Sequence, residues 1–210
     1  LVTNLQALEK ELSAEENENT KKIACVVSST SCFAPRASDD VEAIAKLCRK
    51  YNVAHVINNA YGVQSRKLCG KIEAAMRKGR VDCVVQSLDK NFLVPVGGAI
   101  ICASKGNGYL VDKVRKLYPG RASISSTLDV LITLLEMGKT GYERLLDERE
   151  TNYEKLKMAL ERTASKYGER VLETPNNPIS LGVTLTSSRN DLVTKFGSML
   201  FTRRVSGART

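Results

Sequence analysis

The feature that most constrains the fold of this 210-residue chain is an alternation of short apolar runs with amphipathic stretches. Runs rich in β-branched residues predict four strands, at 22–29, 53–59, 80–87 and 96–103. Apolar residues at helical spacing predict three helices, at 39–52, 66–79 and 108–118. Apolar strands that alternate with helices are typical of a mostly parallel sheet covered on both faces. The predicted fold class is therefore α/β.

The pattern changes after the first 120 residues. Residues 127–168 predict two helices, and the second begins at about Thr140 and is strongly charged. The first contains the apolar segment 128–135, which we expect to be buried or at a subunit contact. After Gly168, short strands are predicted in RVLET and ISLGVTLT, on either side of a turn. We therefore predict one large domain over 1–145, followed over 146–210 by a bridging helix and the beginning of a smaller α+β domain.

Several classes of protein are disfavoured by composition. No apolar run approaches the roughly 18 residues that a membrane-spanning helix needs. The six cysteines form no CxxC pair and the chain has a single histidine, His55, so we predict no metal site. We expect reduced thiols, a cytoplasmic location and a core or rim position for His55. The chain begins without Met and ends abruptly after FTRRVSGART, so we expect the central fragment of a longer protein.

The segment VVQSLDKNFLVPVGG, residues 84–98, is the most informative stretch for function. Lys90 follows a predicted strand, and ligands of open α/β sheets bind at the carboxyl ends of the strands. A lysine amine held in a closed site can lose its proton and act as a nucleophile or a base. Ser87 offers a hydroxyl to a phosphate group, and Gly97 with Gly98 would let the backbone pass close to a ligand. A solvated surface lysine in a turn is the alternative.

A second segment, HVINNAYG at 55–62, bears on this choice. Its order of Asn58, Ala60 and Tyr61 resembles the Asp-x-Ala-Tyr context of pyridoxal phosphate enzymes with the aminotransferase-type fold. In those enzymes a Ser-x-x-Lys turn follows one strand later, and here 90 − 58 = 32 residues separate Asn58 from Lys90. The departure is Asn58 in place of Asp. A neutral amide makes the cofactor ring a weaker electron sink, which suits elimination from an aminoacyl ester better than reactions of free amino acids.

Seven segments together carry a closer resemblance: 28–36, 57–65, 85–100, 118–123, 128–135, 174–181 and 197–209. They resemble the O-phosphoseryl-tRNA(Sec):selenocysteinyl-tRNA synthase family, also called O-phosphoseryl-tRNA(Sec) selenium transferase. The resemblance implies an aminotransferase-like, fold-type-I enzyme that uses pyridoxal 5'-phosphate. It also implies that the chain lacks the amino-terminal part of such an enzyme, which supplies the loop that grips the substrate phosphate.

The resemblance assigns roles to residues near the lysine. Lys90 matches the lysine that bonds covalently to the cofactor, and our hypothesis is that it also removes the Cα proton of the substrate as general base. Asn58 matches an asparagine that contacts the cofactor ring. Analogy with the wider superfamily makes Ser87 a ligand of the cofactor phosphate and Tyr61 a partner of the ring hydroxyl.

Substrate and partner residues follow from the same resemblance. Arg121 matches an arginine that binds the substrate, while Arg77 and Arg203 match arginines that contact tRNA. The resemblance further implies tRNA(Sec) charged with phosphoserine, selenophosphate as selenium donor, and a homotetramer built as a dimer of dimers. A net charge of +9, from 32 basic and 23 acidic residues, is consistent with a polyanionic partner. On residue type alone, Arg121 is a turn arginine and Arg77 a helix cap.

Two alternatives stay open at the level of sequence. The first is another fold-type-I pyridoxal phosphate enzyme, related to desulfurases or to phosphoseryl-tRNA:cysteinyl-tRNA synthase. Such an enzyme needs a nucleophilic cysteine or an external sulfur donor, and Cys69 beside Gly70 is the cysteine to check. The second alternative is an inactive tRNA-binding fragment.

Overall fold

The computed structural model describes residues 2–18, 22–32, 36–120, 123–186 and 190–208. Its helices are α1 Leu5–Glu18, α2 Val41–Lys50, α3 Arg66–Lys78, α4 Gly108–Leu117, α5 Ser125–Lys166 and α6 Asn190–Thr202. Its strands are β1 Cys25–Ser29, β2 Ala54–Asn58, β3 Cys83–Ser87 and β4 Ala99–Cys102. In the described part of the chain, no helix combines the length and apolar character needed to cross a bilayer.

The strands form one sheet in the order β1-β2-β3-β4. β1 and β2 pair in parallel, with Ser29 opposite Asn58, and β2 and β3 also pair in parallel. β4 runs antiparallel to β3, with Ala99 opposite Ser87. The expectation of a mostly parallel sheet flanked by helices is confirmed. Because three strands run in the same direction, the loops that follow them leave from one edge of the sheet.

Two helices cover this sheet and begin at polar caps. The Asp40 side chain accepts a hydrogen bond from the Ala43 amide at 3.0 Å, and the Ser65 hydroxyl accepts one from the Leu68 amide at 3.4 Å. The apolar faces of α2 and α3 then pack with β2 and β3 into one core: Val41, Ala45, Ile57, Ile72, Ala75, Val81 and Val84. This core fixes the positions of the two strands that lead into the candidate site.

His55 lies within this sheet and is fully buried, so the prediction of a core histidine is confirmed. Its Nδ1 lies 3.0 Å from the carbonyl oxygen of Arg80, and its Nε2 lies 2.8 Å from the hydroxyl of Ser28. Because a carbonyl only accepts, Nδ1 carries the proton and Nε2 accepts from Ser28. Burial lowers the pKa of His55, despite opposing effects of the Arg80 carbonyl and of Asp82. The imidazole is therefore neutral in the folded protein.

The free energy of unfolding is expected to fall as the pH drops below 6.5, the ordinary pKa of histidine. The unfolded chain takes up the proton in that range while the folded chain does not, so acid favours unfolding. Between the pKa of His55 in the unfolded chain and its lower pKa in the folded chain, the free energy of unfolding changes by up to about 1.4 kcal/mol per pH unit. Below the lower pKa this contribution no longer changes with pH. Urea unfolding between pH 7.5 and about 5 measures the slope. A His55→Gln variant should be less stable at pH 7.5 but lose less on acidification; equal losses would contradict the assignment.

The long α5 contains one non-helical residue, Gly138, with φ 63° and ψ 177°. Two helical segments therefore meet there, and the second begins close to the predicted Thr140. The apolar segment 128–135 in the first is not buried within the described chain, since Ile132 is 63% and Leu135 74% exposed. Of the two expectations for this segment, burial inside the chain is wrong.

The chain divides into two compact units. The larger contains residues 1–151 and 174–180, and the smaller contains 152–173 and 181–210. The two short strands predicted after Gly168 are reduced to one antiparallel bridge, Val171 with Val183. Two backbone hydrogen bonds flank it, from Leu172 N to Gly182 O and from Thr184 N to Arg170 O. The expectation of full strands there was wrong, because the two segments pair only around this bridge.

Candidate active site

The two predicted site segments leave the same edge of the sheet. Asn58 is the last residue of β2 and Ser87 the last residue of β3, and these strands pair in parallel with Asn58 opposite Val85. The ladder continues one residue further, where the amide of Asn59 donates to the carbonyl of Val85 at 2.8 Å. The loop with Tyr61 and the turn with Lys90 are therefore neighbours.

Lys90 is held by three groups at this edge. Its Nζ lies 3.2 Å from the hydroxyl oxygen of Ser87, 3.2 Å from Oδ2 of Asp89 and 5.5 Å from the ring centroid of Tyr61. The side chain remains 34% exposed. The amine is thus neither sealed in an ion pair nor freely solvated, and it is within reach of a ligand that binds beside Tyr61.

Asp89 is a site residue that the sequence reasoning missed, although it stands between Ser87 and Lys90. The Ser87 hydroxyl donates to its Oδ1 at 2.5 Å. This hydrogen bond, with a further contribution from Lys90, lowers the pKa of Asp89, so the carboxylate is charged at neutral pH. It serves as the counter-charge of the Lys90 ammonium group. A cofactor phosphate could accept the Ser87 proton only by displacing the Asp89 oxygen.

Asn58 is exposed at the end of β2, and its amide orientation is defined. Its Oδ1 accepts a hydrogen bond from the Ala60 amide at 3.1 Å, which only an oxygen can do. Its Nδ2 makes no hydrogen bond to any described residue. The side chain therefore presents an N–H donor, which matches a heteroaromatic nitrogen that carries no proton.

A line of side chains connects the four strands next to this edge. The hydroxyl of Thr30, just after β1, donates to Oδ1 of Asn59 at 2.7 Å. The Asn59 amide nitrogen donates to Oε1 of Gln86 on β3 at 3.3 Å, and Nε2 of Gln86 lies 3.4 Å from the sulfur of Cys102 on β4. Thr30 and Asn59 are buried. A Cβ at Gly62 would collide with the Asn59 amide, so the loop can pass Asn59 only with glycine there.

Gly98 is needed for the packing of the protein's own backbone. It has a φ of 76°, which favours glycine. A Cβ there would lie 2.7 Å from Cδ1 of Leu88 and 2.7 Å from Cβ of Ser126. The backbone thus passes close to the protein's own atoms, and this contact fixes the turn that carries Lys90.

Within the larger unit, the structure places Arg77 away from Lys90. Arg77 lies at the carboxyl end of α3, which returns from the Lys90 edge to the opposite edge, and it pairs with Glu73 at 2.5 Å. Arg203 belongs to the smaller unit, is exposed and donates to the carbonyl of Met199 at 3.2 Å. Arg121 lies outside the described residues.

Cys69, the cysteine that the sequence singled out, is not an activated thiol. Cys69 lies within α3, and its sulfur is 3.7 Å from each of the carbonyl oxygens of Gly62 and Val63. Although the residue is exposed at the surface, partial desolvation of its sulfur raises the pKa of this thiol, which disfavours the reactive thiolate. Among the described residues, no three His, Cys, Asp or Glu side chains gather in a way that would hold a metal ion.

A polar pocket of about 380 Å³ lies at the opposite edge of the sheet from Lys90. Arg80 lines it, but its guanidinium is already paired with Asp82 at 2.9 Å and with Oδ1 of Asn52 at 2.7 Å. These contacts fix the backbone just before β3, so we interpret the role of Arg80 as structural. The candidate site is the Lys90 edge of the sheet.

Comparison with known proteins gives the family. The sequence profile of O-phosphoseryl-tRNA(Sec) selenium transferase matches residues 1–210. The chain belongs to this family. It is similar to the O-phosphoseryl-tRNA(Sec) selenium transferase of Caenorhabditis elegans, with 42% identity over 209 residues; the match covers all of this chain but 42% of that protein.

Solved structures give the same family and the wider fold. The crystal structure of archaeal O-phosphoseryl-tRNA(Sec) selenium transferase superposes with a TM-score of 0.82 at 32% identity, over 99% of this chain and 46% of that one. An alanine–glyoxylate aminotransferase from Nostoc sp. has a TM-score of 0.69 at 14% identity, over 98% of this chain and 55% of that one. The second likeness shows the fold alone. The predicted aminotransferase-like class is confirmed, and the chain spans less than half the length of its O-phosphoseryl-tRNA(Sec) selenium transferase relatives.

Proposed function

We propose that the full-length protein converts O-phosphoseryl-tRNA(Sec) into selenocysteinyl-tRNA(Sec), with pyridoxal phosphate as cofactor and selenophosphate as selenium donor. Family membership supports the reaction. The observation that carries the proposal is the position of the Lys90 amine, between Ser87 and the Tyr61 ring at the strand edge that Asn58 also occupies. Because the chain spans under half of its relatives, this reaction is assigned to the whole protein.

The described residues fit pyridoxal phosphate. The cofactor needs an amine for covalent attachment, and Lys90 supplies one that is partly exposed. A hydrogen-bond donor suits the ring nitrogen, and Asn58 presents its Nδ2. We assign the contact with the ring hydroxyl to Tyr61. We assign a contact with the phosphate to Ser87, whose hydroxyl would then donate to a phosphate oxygen and no longer to Asp89.

The arrangement supports elimination chemistry. Bound pyridoxal phosphate withdraws electrons from Cα of the substrate amino acid, which allows the β-phosphate to leave. Lys90 would be placed to take the Cα proton of the substrate as general base. Asp89 would stabilise the protonated Lys90 amine. Asn58 would donate a hydrogen bond to the ring nitrogen and leave it without a proton, which would favour departure of the negative charge with the phosphate.

The arginines are proposed to bind the polyanionic substrate. We assign Arg121 to the substrate phosphate, because a guanidinium forms two parallel hydrogen bonds with phosphate oxygens. We assign Arg77 and Arg203 to the tRNA backbone. Both side chains are exposed, and the net charge of +9 favours a nucleic acid partner.

The assembly and the location are further proposals. We propose a homotetramer, a dimer of dimers, in which the apolar segment 128–135 contacts another subunit, since several of its side chains are solvent-exposed in the isolated chain. We assign residues 1–145 to the cofactor-binding domain and 146–210 to the bridging helix and smaller domain. A cytoplasmic location follows from the reduced thiols expected of this chain.

Borohydride trapping tests the proposal. Full-length protein mixed with pyridoxal phosphate should show a new visible absorbance, and borohydride should then fix the cofactor permanently. Peptide mass mapping is expected to find the added mass on the peptide that contains Lys90. Lys46, an exposed lysine on α2, serves as the internal control for non-specific labelling. Labelling spread equally over surface lysines would reject Lys90 as the cofactor lysine.

A further inference from the structure

Asn91, the residue after Lys90, is 6% exposed and its side chain is buried between the two site loops. Its Nδ2 donates to the carbonyl of Ala60 at 2.8 Å and to the carbonyl of Ser87 at 2.7 Å. The first carbonyl belongs to the loop with Asn58 and Tyr61, and the second to the end of β3. One amide group therefore joins the Asn58 loop to the Lys90 turn.

Two further contacts hold the same turn. Nε2 of Gln64 donates to the carbonyl of Lys90 at 3.2 Å, and the hydroxyl of Tyr142 on α5 donates to the carbonyl of Asn91 at 3.2 Å. The rings of Phe92 and Tyr142 stack, with centroids 5.9 Å apart. The backbone that follows the Lys90 side chain is thus held by hydrogen bonds from two separate parts of the chain.

One polar atom of the Asn91 side chain lacks a hydrogen-bond partner among the residues that the structure describes. Its Oδ1 is buried without a partner in the described chain. The amide cannot turn around to correct this, because Ala60 and Ser87 both offer carbonyl oxygens and require N–H donors. A serine would supply one donor and a leucine none. Only a group with two N–H bonds satisfies both carbonyls, so the site requires this residue type despite the unpaired oxygen.

We infer that Asn91 is a positioning residue that sets the Lys90 amine relative to Asn58 and Tyr61. The inference rests on the proposed function, in which these groups surround one cofactor. The rate of covalent capture depends on the distance and direction of the amine, and small displacements of reacting groups have large effects on rate. Loss of the two N–H donors of Asn91 should therefore slow the covalent reactions of the Lys90 amine more than loss of a buried side-chain donor elsewhere in the protein.

Asn91→Leu tests this inference, with Asn177→Leu as the matched control. Asn177 is similarly buried in the larger unit, at 4% exposure, and its Nδ2 also donates to a backbone carbonyl, that of Arg36, at 2.9 Å. Both variants should be destabilised in urea unfolding. Asn91→Leu alone should slow covalent attachment of pyridoxal phosphate, by roughly 10²-fold if the amine moves by about 1 Å. Asn91→Ser, which keeps one donor, should be intermediate and replaces the leucine variant if that variant does not fold.

A second readout needs no cofactor. The rate at which Lys90 reacts with acetic anhydride, followed by mass spectrometry across pH, reports the surroundings of its amine. The Asn91 variants should shift this pH profile, whereas Asn177→Leu should leave it unchanged. Unaltered attachment and an unaltered profile in the Asn91 variants would overturn the inference. If the unmutated protein fails to attach pyridoxal phosphate, the proposed function fails, and the acylation profile still decides the role of Asn91.

Discussion

Replacing Lys90 with alanine in the full-length protein is expected to abolish covalent attachment of pyridoxal phosphate and nearly all formation of selenocysteinyl-tRNA(Sec). The variant removes the side chain that we propose both as attachment point of the cofactor and as general base. Loss of the base alone costs a factor of roughly 10² to 10⁴ in rate. The measurement is conversion of phosphoseryl-tRNA(Sec) in the presence of selenophosphate, together with borohydride trapping.

The control variants separate chemistry from charge and folding. Lys90→Arg keeps the positive charge beside Asp89 but has no primary amine, so it should be as inactive as the alanine variant. Lys46→Ala removes an exposed lysine that pairs with Glu42 and should retain activity. A Lys90→Ala protein that still produced selenocysteinyl-tRNA(Sec) would refute the assignment of Lys90.

Gly79→Ala is expected to lower the free energy of unfolding by about 3 kcal/mol. A Cβ at Gly79 would lie 2.6 Å from both the carbonyl oxygen and the Cβ of Ala45. The same Ala45 carbonyl accepts a hydrogen bond from the Arg80 amide at 2.9 Å, so the backbone cannot retreat without breaking that bond. The change is measured as a shift in the urea midpoint at constant slope.

Gly70→Ala is the control within α3, the helix that Gly79 follows directly. It has no heavy atom within 4 Å of the added Cβ, and alanine favours a helix over glycine by about 1 kcal/mol. The control should leave stability equal or raised. If both variants behaved alike, the close approach of Gly79 to Ala45 would not be what limits this position.

The sequence was sufficient to predict the mostly parallel sheet and to bring the candidate site segments to one edge of it. Apolar strands such as 80–87 are recognisable because both faces of a parallel strand are buried, and the loops after parallel strands must meet. The turn with Lys90 could therefore be placed beside Asn58 without coordinates. The resemblance to a family supplied the proposed role of each site residue. The spacing of apolar residues cannot indicate such roles.

Other features depend on contacts that sequence does not display. Helices α1 and α6 were not predicted, since α1 has few apolar residues and six charged ones among its 14, and α6 follows a stretch without a clear period. The antiparallel direction of β4 depends on a short connection after Lys90, which is too irregular to interpret from composition. Asp89 and Asn91 are ordinary turn residues in sequence, and their roles emerge only from distances to Ser87 and Ala60.

The side-chain line through Thr30, Asn59, Gln86 and Cys102 has a consequence for protein engineering. Slipping any strand by one residue would turn its member of the line to the other face, so the line acts as a check on strand alignment. If the Lys90 turn alone were grafted into another α/β scaffold, the graft would lack these side chains and the strand register that they require. A transplant should carry the four side chains together with Gly62, whose missing Cβ makes room for Asn59.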